Sequence, residues 1–171
     1  NNIYSLSVSN SDKTSRSISQ LSDILDYILH KGQQKWVSIA EELAVIDDYI
    51  ALESLRYRDE RLKVNKKIIL HSSNLIPPLL YLTLVENAFK HEAGKNAGHT
   101  EIHIEAETDQ KQSVFRITNT YNSTQPNNEK GIGLQNVKKQ LQHHYRENFS
   151  YKISRENNIF TIEIITPSTY D

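Results

Sequence analysis

Four polar residues with the chemistry of a cation or phosphate site fall within two helical turns of this chain. Asn87, Lys90 and His91 are spaced i, i+3 and i+4, so a helix would place them on one face. Glu86 lies beside them, at the edge of an apolar stripe. An amide oxygen can ligate a hard cation such as Mg2+, and a lysine ammonium is a point charge suited to phosphate. The cluster therefore indicates a site, and the alternative is an ordinary amphipathic helix with a solvated polar face.

A glycine motif downstream opens a second helical pattern. It reads Gly131-Ile132-Gly133-Leu134 and holds two of the five glycines in the chain. Glycine lets backbone N–H groups approach an anion closely, and the N-terminus of a helix favours negative charge. The motif predicts a phosphate-binding turn, and the alternative is a glycine turn that only begins a helix.

The first cluster lies on a predicted helix over residues 78–91. Pro77 and Pro78 stand at its start, which suits proline because its missing N–H would be unpaired in the first turn of a helix. A core-facing stripe follows from the spacing of four residues: Tyr81, Leu84, Val85 and Ala88. A second helix, over residues 132–145, begins at the glycine motif, and its stripe consists of Leu134, Val137, Leu141 and Tyr145.

Strands are predicted where apolar and polar residues alternate or β-branched residues accumulate. They cover residues 62–70, 100–108, 113–119, 149–154 and 159–165. Strands combined with two helices predict an α+β fold, a two-layer α/β sandwich in which a mixed sheet is covered on one face.

An α-helical hairpin is predicted ahead of the sandwich. Its first helix has apolar residues at spacings of three, four and three, namely Ile18, Leu21, Leu25 and Ile28, and ends at Gly32. Its second helix starts at the capping box Ser38-Ile39-Ala40-Glu41 and runs to about residue 58. The hairpin belongs either to a four-helix dimer or to a cover on the chain's own C-terminal domain.

Composition narrows the classes of function. The chain has 171 residues, 20 of them basic and 21 acidic, and this balance argues against general nucleic-acid binding. The absence of cysteine excludes disulfides and thiolate chemistry. No apolar run approaches the ~20 residues of a membrane-spanning helix. Because the chain also lacks methionine, even at residue 1, we expect a fragment whose membrane anchor lies upstream.

Three phrases together resemble the nucleotide site of the GHKL ATPase/kinase superfamily, which has the Bergerat fold. They are Ile76-Pro77-Pro78-Leu79, Glu86-Asn87-Ala88-Phe89-Lys90-His91 and Gly131-Ile132-Gly133-Leu134-Gln135-Asn136-Val137-Lys138-Lys139-Gln140-Leu141. Within that superfamily they look like the LytS/YehU-type sensor histidine kinases of bacterial two-component systems. Two earlier phrases also match, over residues 21–27 and 49–57, although Asp26 stands where the family often has arginine.

This resemblance implies a fold, an activity and partners. Residues 1–60 would be a helical dimerisation region and residues 61–171 the GHKL catalytic domain. The domain would bind Mg2+ and ATP and transfer the γ-phosphoryl group to a histidine, for relay to a response regulator. Residues 1–6 resemble the stretch that follows the family's phosphoacceptor motif, so that histidine would lie upstream of residue 1. We expect a homodimer through the N-terminal helices, no nucleic-acid partner, and a soluble cytoplasmic part of an inner-membrane sensor.

The resemblance also assigns roles to individual residues. Glu86 would orient or deprotonate the nucleophile, with an ion pair to Lys90 as the alternative. Asn87 would ligate Mg2+, and Lys90 would neutralise phosphate charge. The other nucleotide-binding residues would be His91, Asn119, Gly131, Ile132, Gly133, Leu134, Asn136 and Lys138.

One phrase departs from the superfamily's pattern. GHKL proteins usually have Asp-x-Gly-x-Gly after the third strand, where the aspartate receives the adenine amino group. Here Asn119 occupies the aspartate's place, and both glycines are absent. An amide oxygen can still accept the adenine N–H, but without charge assistance. Two alternatives therefore stay open: a degenerate kinase that binds nucleotide or dimerises without transfer, and a GHKL ATPase of another class.

Overall fold

The computed structural model describes residues 13–57, 61–92, 100–121 and 132–168. Within these ranges there are four α-helices, and a π-helical turn over Tyr27–Lys31 extends the first of them. The helices are α1 (Lys13–Asp26), α2 (Ile39–Ser54), α3 (Leu80–Glu92) and α4 (Ile132–Tyr145). The strands of the same ranges are β1 (Val37–Ser38), β2 (Leu62–Leu70), β3 (Leu75–Ile76), β4 (Thr100–Thr108), β5 (Gln112–Thr120), β6 (Ser150–Glu156) and β7 (Ile159–Pro167).

Five of the strands form one mixed sheet in the order β2-β4-β5-β7-β6. The β2–β4 pair is parallel and the other three pairs are antiparallel. Ile104 on β4 lies opposite Ile117 on β5, which in turn lies opposite Ile162 on β7, so one apolar row crosses the centre of the sheet. The mixed sheet and the two-layer α/β architecture predicted from the sequence are confirmed.

The core lies between this sheet and the helices. Burial alternates along β4, where Ile102, Ile104 and Ala106 are buried on the side that faces the helices. The first turn of α3 contributes Tyr81, whose ring stacks on Phe115 of β5 at 4.0 Å between centroids. The predicted stripes of α3 and α4 are buried throughout, as the periodicity required.

The hairpin covers the chain's own sandwich with its second helix, while its first helix lies on the second. Its capping box forms as expected, with Ser38 Oγ accepting from Glu41 N at 3.1 Å and Glu41 Oε2 accepting from Ser38 N at 3.0 Å. Helix α2 then covers the chain's own sandwich: Ile46 is fully buried, and Tyr49 packs on Phe89 of α3 at 5.7 Å between ring centroids. Helix α1 packs on α2 but leaves its predicted stripe exposed.

Three local features differ from the expectations. Helix α3 begins at Leu80 rather than residue 78, because Leu79 adopts a left-handed φ of 63° and interrupts the helix after the prolines. Helix α2 ends at Ser54 rather than about residue 58, because the following amides bond to carbonyls only three residues back, as Tyr57 N does to Ser54 O. The short β1–β3 pair was not predicted.

None of the helices among the described residues combines the length and apolar character needed to cross a bilayer.

Candidate functional site

The glycine motif and the polar cluster come together because α3 and α4 pack antiparallel. A Cβ placed on Gly133 would lie 3.6 Å from Thr83 Cγ2, so the first turn of α4 faces the first half of α3. Seven residues later, Gln140 Nε2 donates to Pro78 O at 2.7 Å, ahead of the start of α3. Asn87 follows Thr83 by one helical turn on the same face. The N-terminus of α4 therefore points toward the half of α3 that carries the polar cluster.

Asn119 lies at the same end of the sandwich as Asn87. The loop before α3 bonds to the start of β5, where Asn74 Nδ2 donates to Ser113 Oγ at 2.8 Å. The stacked rings of Tyr81 and Phe115 follow Asn74 and Ser113 along the chain, so α3 and β5 run in the same direction. Asn87 near the end of α3 and Asn119 near the end of β5 consequently share one edge of the molecule.

Both asparagine side chains are buried, with 9% of Asn87 and 3% of Asn119 exposed. The alternative of a solvated polar face therefore does not hold for Asn87, because the sheet and neighbouring helices bury most of the circumference of α3. Asn119 Nδ2 donates to Thr120 O at 2.9 Å. Because the Nδ2 group of Asn119 faces the Thr120 carbonyl, the Oδ1 atom points away from it and can accept a hydrogen bond from another donor.

The charged residues of α3 form the ion pair that was the alternative interpretation of Glu86. Lys90 Nζ lies 2.5 Å from Glu86 Oε1, and the two side chains are 69% and 42% exposed. An exposed i,i+4 pair is worth only about 0.3–0.5 kcal/mol, so a phosphate can compete for the ammonium. The predictions for Gly131 and for the side chain of His91 lie outside the described residues.

The start of α4 presents backbone rather than side chains. Gly133 is helical, and among the described residues a methyl group there would meet only Thr83, in an ordinary contact, so packing against them does not explain the glycine. The first N–H groups of α4 have no partner within the helix and lie at its positive end. Ile132 is exposed, whereas the side chain of Leu134 is buried in the core. Asn136 and Lys138 are exposed on the following turns.

A buried carboxylate that the sequence reasoning missed holds the start of α3. Glu42 of α2 is fully buried, and its Oε1 accepts from Tyr81 N at 2.6 Å and from Leu82 N at 3.0 Å. Its Oε2 accepts from Leu79 N at 2.9 Å and from the Tyr27 hydroxyl at 3.0 Å. Burial raises the pKa of Glu42 to about 7, and the four hydrogen bonds oppose that shift.

In the sequence, this role of Glu42 is indicated only by the lack of a capping side chain before α3. Residues 76–79 read Ile-Pro-Pro-Leu and contain none of the side chains that usually cap a helix. The donors of α3 therefore had to find an acceptor elsewhere in the chain, and the sequence does not say where.

Comparison of the sequence with those of known proteins finds matches among the histidine kinases. A sequence model of the family described as "Histidine kinase" matches residues 1–62. Sensor protein LytS of Staphylococcus epidermidis is 31% identical over 119 residues, which are 69% of this chain and 20% of that protein. The chain is a relative of the LytS-type sensor histidine kinases. Sensor histidine kinase BtsS of Escherichia coli K12 is 25% identical over 154 residues, which are 87% of this chain and 27% of BtsS.

A solved structure of a histidine kinase has the same fold as this chain. The histidine kinase domain of a blue-light activated histidine kinase from Erythrobacter litoralis superposes with a TM-score of 0.59 at 15% identity. That match covers 92% of this chain and 75% of the other. The predicted resemblance to the LytS-type sensor histidine kinases is confirmed by the sequence matches, and the solved structure shows the same fold. This chain spans about a quarter of the length of BtsS and a fifth of the length of LytS.

Proposed function

We propose that this chain is the ATP-binding catalytic region of a two-component sensor histidine kinase, with part of its dimerisation helices. The observation that carries the proposal is that α3 runs antiparallel to α4 and in the direction of β5, so that Asn87, Asn119 and the first turn of α4 lie toward one edge of the sandwich. Two buried amides and the N-terminal turn of a helix, which is the positive end of its dipole, are a suitable donor and acceptor set for a nucleotide and its metal.

The residues at this edge fit Mg2+ and ATP. The Asn87 amide oxygen would ligate the metal, since a neutral oxygen ligand suits a cation that shares its shell with phosphates and water. The backbone of Gly131, Ile132, Gly133 and Leu134 would hold phosphate oxygens, and Asn119 Oδ1 would accept from the adenine amino group. Bound Mg2+ and ATP supply the phosphoryl group and part of the charge neutralisation on which its transfer depends.

The side chains around this backbone would handle charge. Lys90 would leave Glu86 for phosphate, since the exposed ion pair is weak. Glu86, once released, would orient the acceptor histidine or take its proton. His91 and Lys138 would add positive charge, and Asn136 would add a hydrogen bond at the second turn of α4.

The assembly and its partners are part of the same proposal. Residues 1–60 would form the dimerisation region and residues 61–171 the catalytic domain. Two copies would pair through the N-terminal helices, the acceptor histidine would precede residue 1, and a response regulator would receive the phosphoryl group. The chain would work in the cytoplasm, with any membrane attachment made by other segments of the protein.

Calorimetric titration with ATP, with and without Mg2+, tests the proposal. We expect Mg2+-dependent binding that Asn87→Ala weakens by at least about tenfold, the usual cost of losing a well-placed metal contact. Asn65→Ala is the matched control, because Asn65 lies on β2 beside His103 of β4, on the face of the sheet away from the helices. Equal binding by wild type and Asn87→Ala would contradict the metal role.

A degenerate module that dimerises without phosphoryl transfer is the second candidate. The observation that favours it is Asn119, which offers a neutral acceptor where the superfamily usually has a charged one. In the same titration, no ATP binding by folded wild-type protein would support this candidate and contradict the first.

A further inference from the structure

The start of α3 depends on an acceptor from another part of the chain. The segment Ile76-Pro77-Pro78-Leu79 supplies no capping side chain. Glu42 of α2 instead accepts from three backbone N–H groups, those of Leu79, Tyr81 and Leu82. A buried donor left without an acceptor destabilises the fold, so these three bonds make the place of α3 depend strongly on this carboxylate.

The same carboxylate also belongs to the hairpin. Glu42 Oε2 accepts from Leu79 N and from the Tyr27 hydroxyl, so one oxygen atom joins α3 to the π-helical turn that ends α1. Tyr27 is 8% exposed and begins that turn, whose closing bond runs from Gly32 N to Tyr27 O at 3.1 Å. π-helical turns are rare and are often found at functional positions.

A continuous set of contacts leads from this oxygen to the candidate site. Leu79 O accepts from Thr83 N at 3.1 Å and from Thr83 Oγ1 at 2.6 Å. The methyl group of Thr83 faces Gly133 in the first turn of α4. Asn87 is one turn further along α3 on the same face as Thr83. A shift at Leu79 would therefore change the distance between the metal-ligand candidate and the phosphate-binding backbone.

We propose that Glu42 is a positioning residue for the nucleotide site, and that its bridge between Tyr27 and the start of α3 couples that site to the helical hairpin. The inference rests on the proposed function, because it needs a nucleotide to be bound. A movement of α1 that withdraws the Tyr27 hydroxyl would leave Oε2 less satisfied and would shift the first turn of α3. By reciprocity, nucleotide binding would tighten the contact between Tyr27 and Glu42.

The first test compares the affinity for Mg2+ and ATP of wild type, Glu42→Gln and Glu41→Gln, at a temperature where all three are folded. Glu42→Gln keeps the size of the side chain but turns one acceptor into a donor that faces N–H or O–H groups. We expect about tenfold weaker binding, within the usual range of coupling between sites. Glu41→Gln is the matched control, because Glu41 faces Ser38 and Lys31 and glutamine also completes a capping box.

The second test uses Tyr27→Phe, which removes only one of the four donors and should fold even if Glu42→Gln does not. Hydrogen–deuterium exchange is measured at the amides of Tyr27–Lys31 with and without Mg2+ and ATP. We expect nucleotide to slow exchange in this turn of the wild type and to have no such effect in Tyr27→Phe.

The outcomes separate the two proposals. If wild type binds nucleotide but Glu42→Gln binds equally well, or if Tyr27→Phe keeps the full exchange response, the positioning role is wrong and the kinase proposal stands. A Glu42→Gln variant that melts earlier but keeps wild-type affinity shows a purely structural role and overturns the inference. If folded wild type binds no nucleotide, the proposed function fails and the inference fails with it.

Discussion

At the scale of single residues, Glu42 makes stability depend on pH in a predictable direction. Its pKa is raised from the ordinary 4.5 to about 7 by burial, so the folded protein binds this proton more tightly than the unfolded chain does. The resulting stabilisation is complete below about pH 4.5 and is lost as the pH rises through about 7. We expect the unfolding free energy of wild type, relative to Glu42→Gln, to fall by on the order of 2 kcal/mol between pH 5 and pH 8.

Urea unfolding of both proteins at several pH values measures this difference. Glu41→Gln serves as the control, because hydrogen bonds from Lys31 and Ser38 hold the pKa of Glu41 below its ordinary value. The stabilisation by Glu41 is therefore already present at pH 5. The unfolding free energies of Glu41→Gln and wild type should differ by a constant amount between pH 5 and pH 8. If the unfolding free energies of wild type and Glu42→Gln differ by a constant amount over this pH range, the carboxyl group of Glu42 does not titrate in it.

At the scale of elements, the π-helical turn should tolerate no side chain at Gly32. A Cβ there would overlap the carbonyl oxygen of Ile28 and press on Leu79 Cδ1 at 3.4 Å. Backbone cannot move aside without unwinding the turn, so we expect Gly32→Ala to cost about 1–3 kcal/mol of unfolding free energy. Gly133→Ala is the control and should be neutral or stabilising by up to about 1 kcal/mol, since alanine favours helices and would meet only Thr83 in the part of the chain that the structure describes. Equal destabilisation of the two variants in urea would contradict this assignment.

Elements with a strong hydrophobic period were predictable from the sequence. Helix α4 and strand β4 have the predicted bounds, because their apolar residues recur regularly enough to determine both type and length. Strand β2 also has the predicted bounds, but its signal was the group of β-branched residues in its second half. The capping box likewise fixed the start of α2, since its two hydrogen bonds are local. By contrast, the two-residue strands β1 and β3 exist only through pairing with each other across the chain, and no local pattern indicates them.

The candidate site was predictable as a set of residue types but not as an arrangement. Asn87 and Lys90 were chosen for their chemistry, yet only the packing of α3 shows that Asn87 is buried while Lys90 pairs with Glu86 in water. Glu42 was missed because its backbone partners at the start of α3 are 37 to 40 residues away along the chain, and Tyr27 is 15 residues away. Sequence patterns report neighbours along an element, whereas a cap supplied from another helix depends on tertiary structure.

At the scale of the whole molecule, α1 has two apolar faces and only one is covered. Ser17, Ile24 and Tyr27 are buried on the side that meets α2. The other face is exposed and consists of Ile18, Leu21, Leu25 and Ile28, which are 54%, 39%, 49% and 39% exposed. Contiguous apolar surface of this kind is uncommon on monomers and marks an interaction site. The heptad-like spacing suits another helix, and a second copy of α1 offers the same stripe.

We therefore expect wild type to be a dimer at micromolar concentrations and the double variant Leu21→Glu with Leu25→Glu to be a monomer in sedimentation velocity. Each glutamate would place a charge in the apolar seam, where burial without a partner is costly, but both residues are already exposed in the single chain. The circular dichroism spectrum of the variant should therefore match that of wild type. Ile159→Glu is the control, because Ile159 is 45% exposed at the start of β7 in the five-stranded sheet, outside the helical hairpin, and should leave the dimer intact. A wild-type monomer at all concentrations, or a dimer that survives both glutamates, would place the dimer contact elsewhere and leave the stripe of α1 without this role.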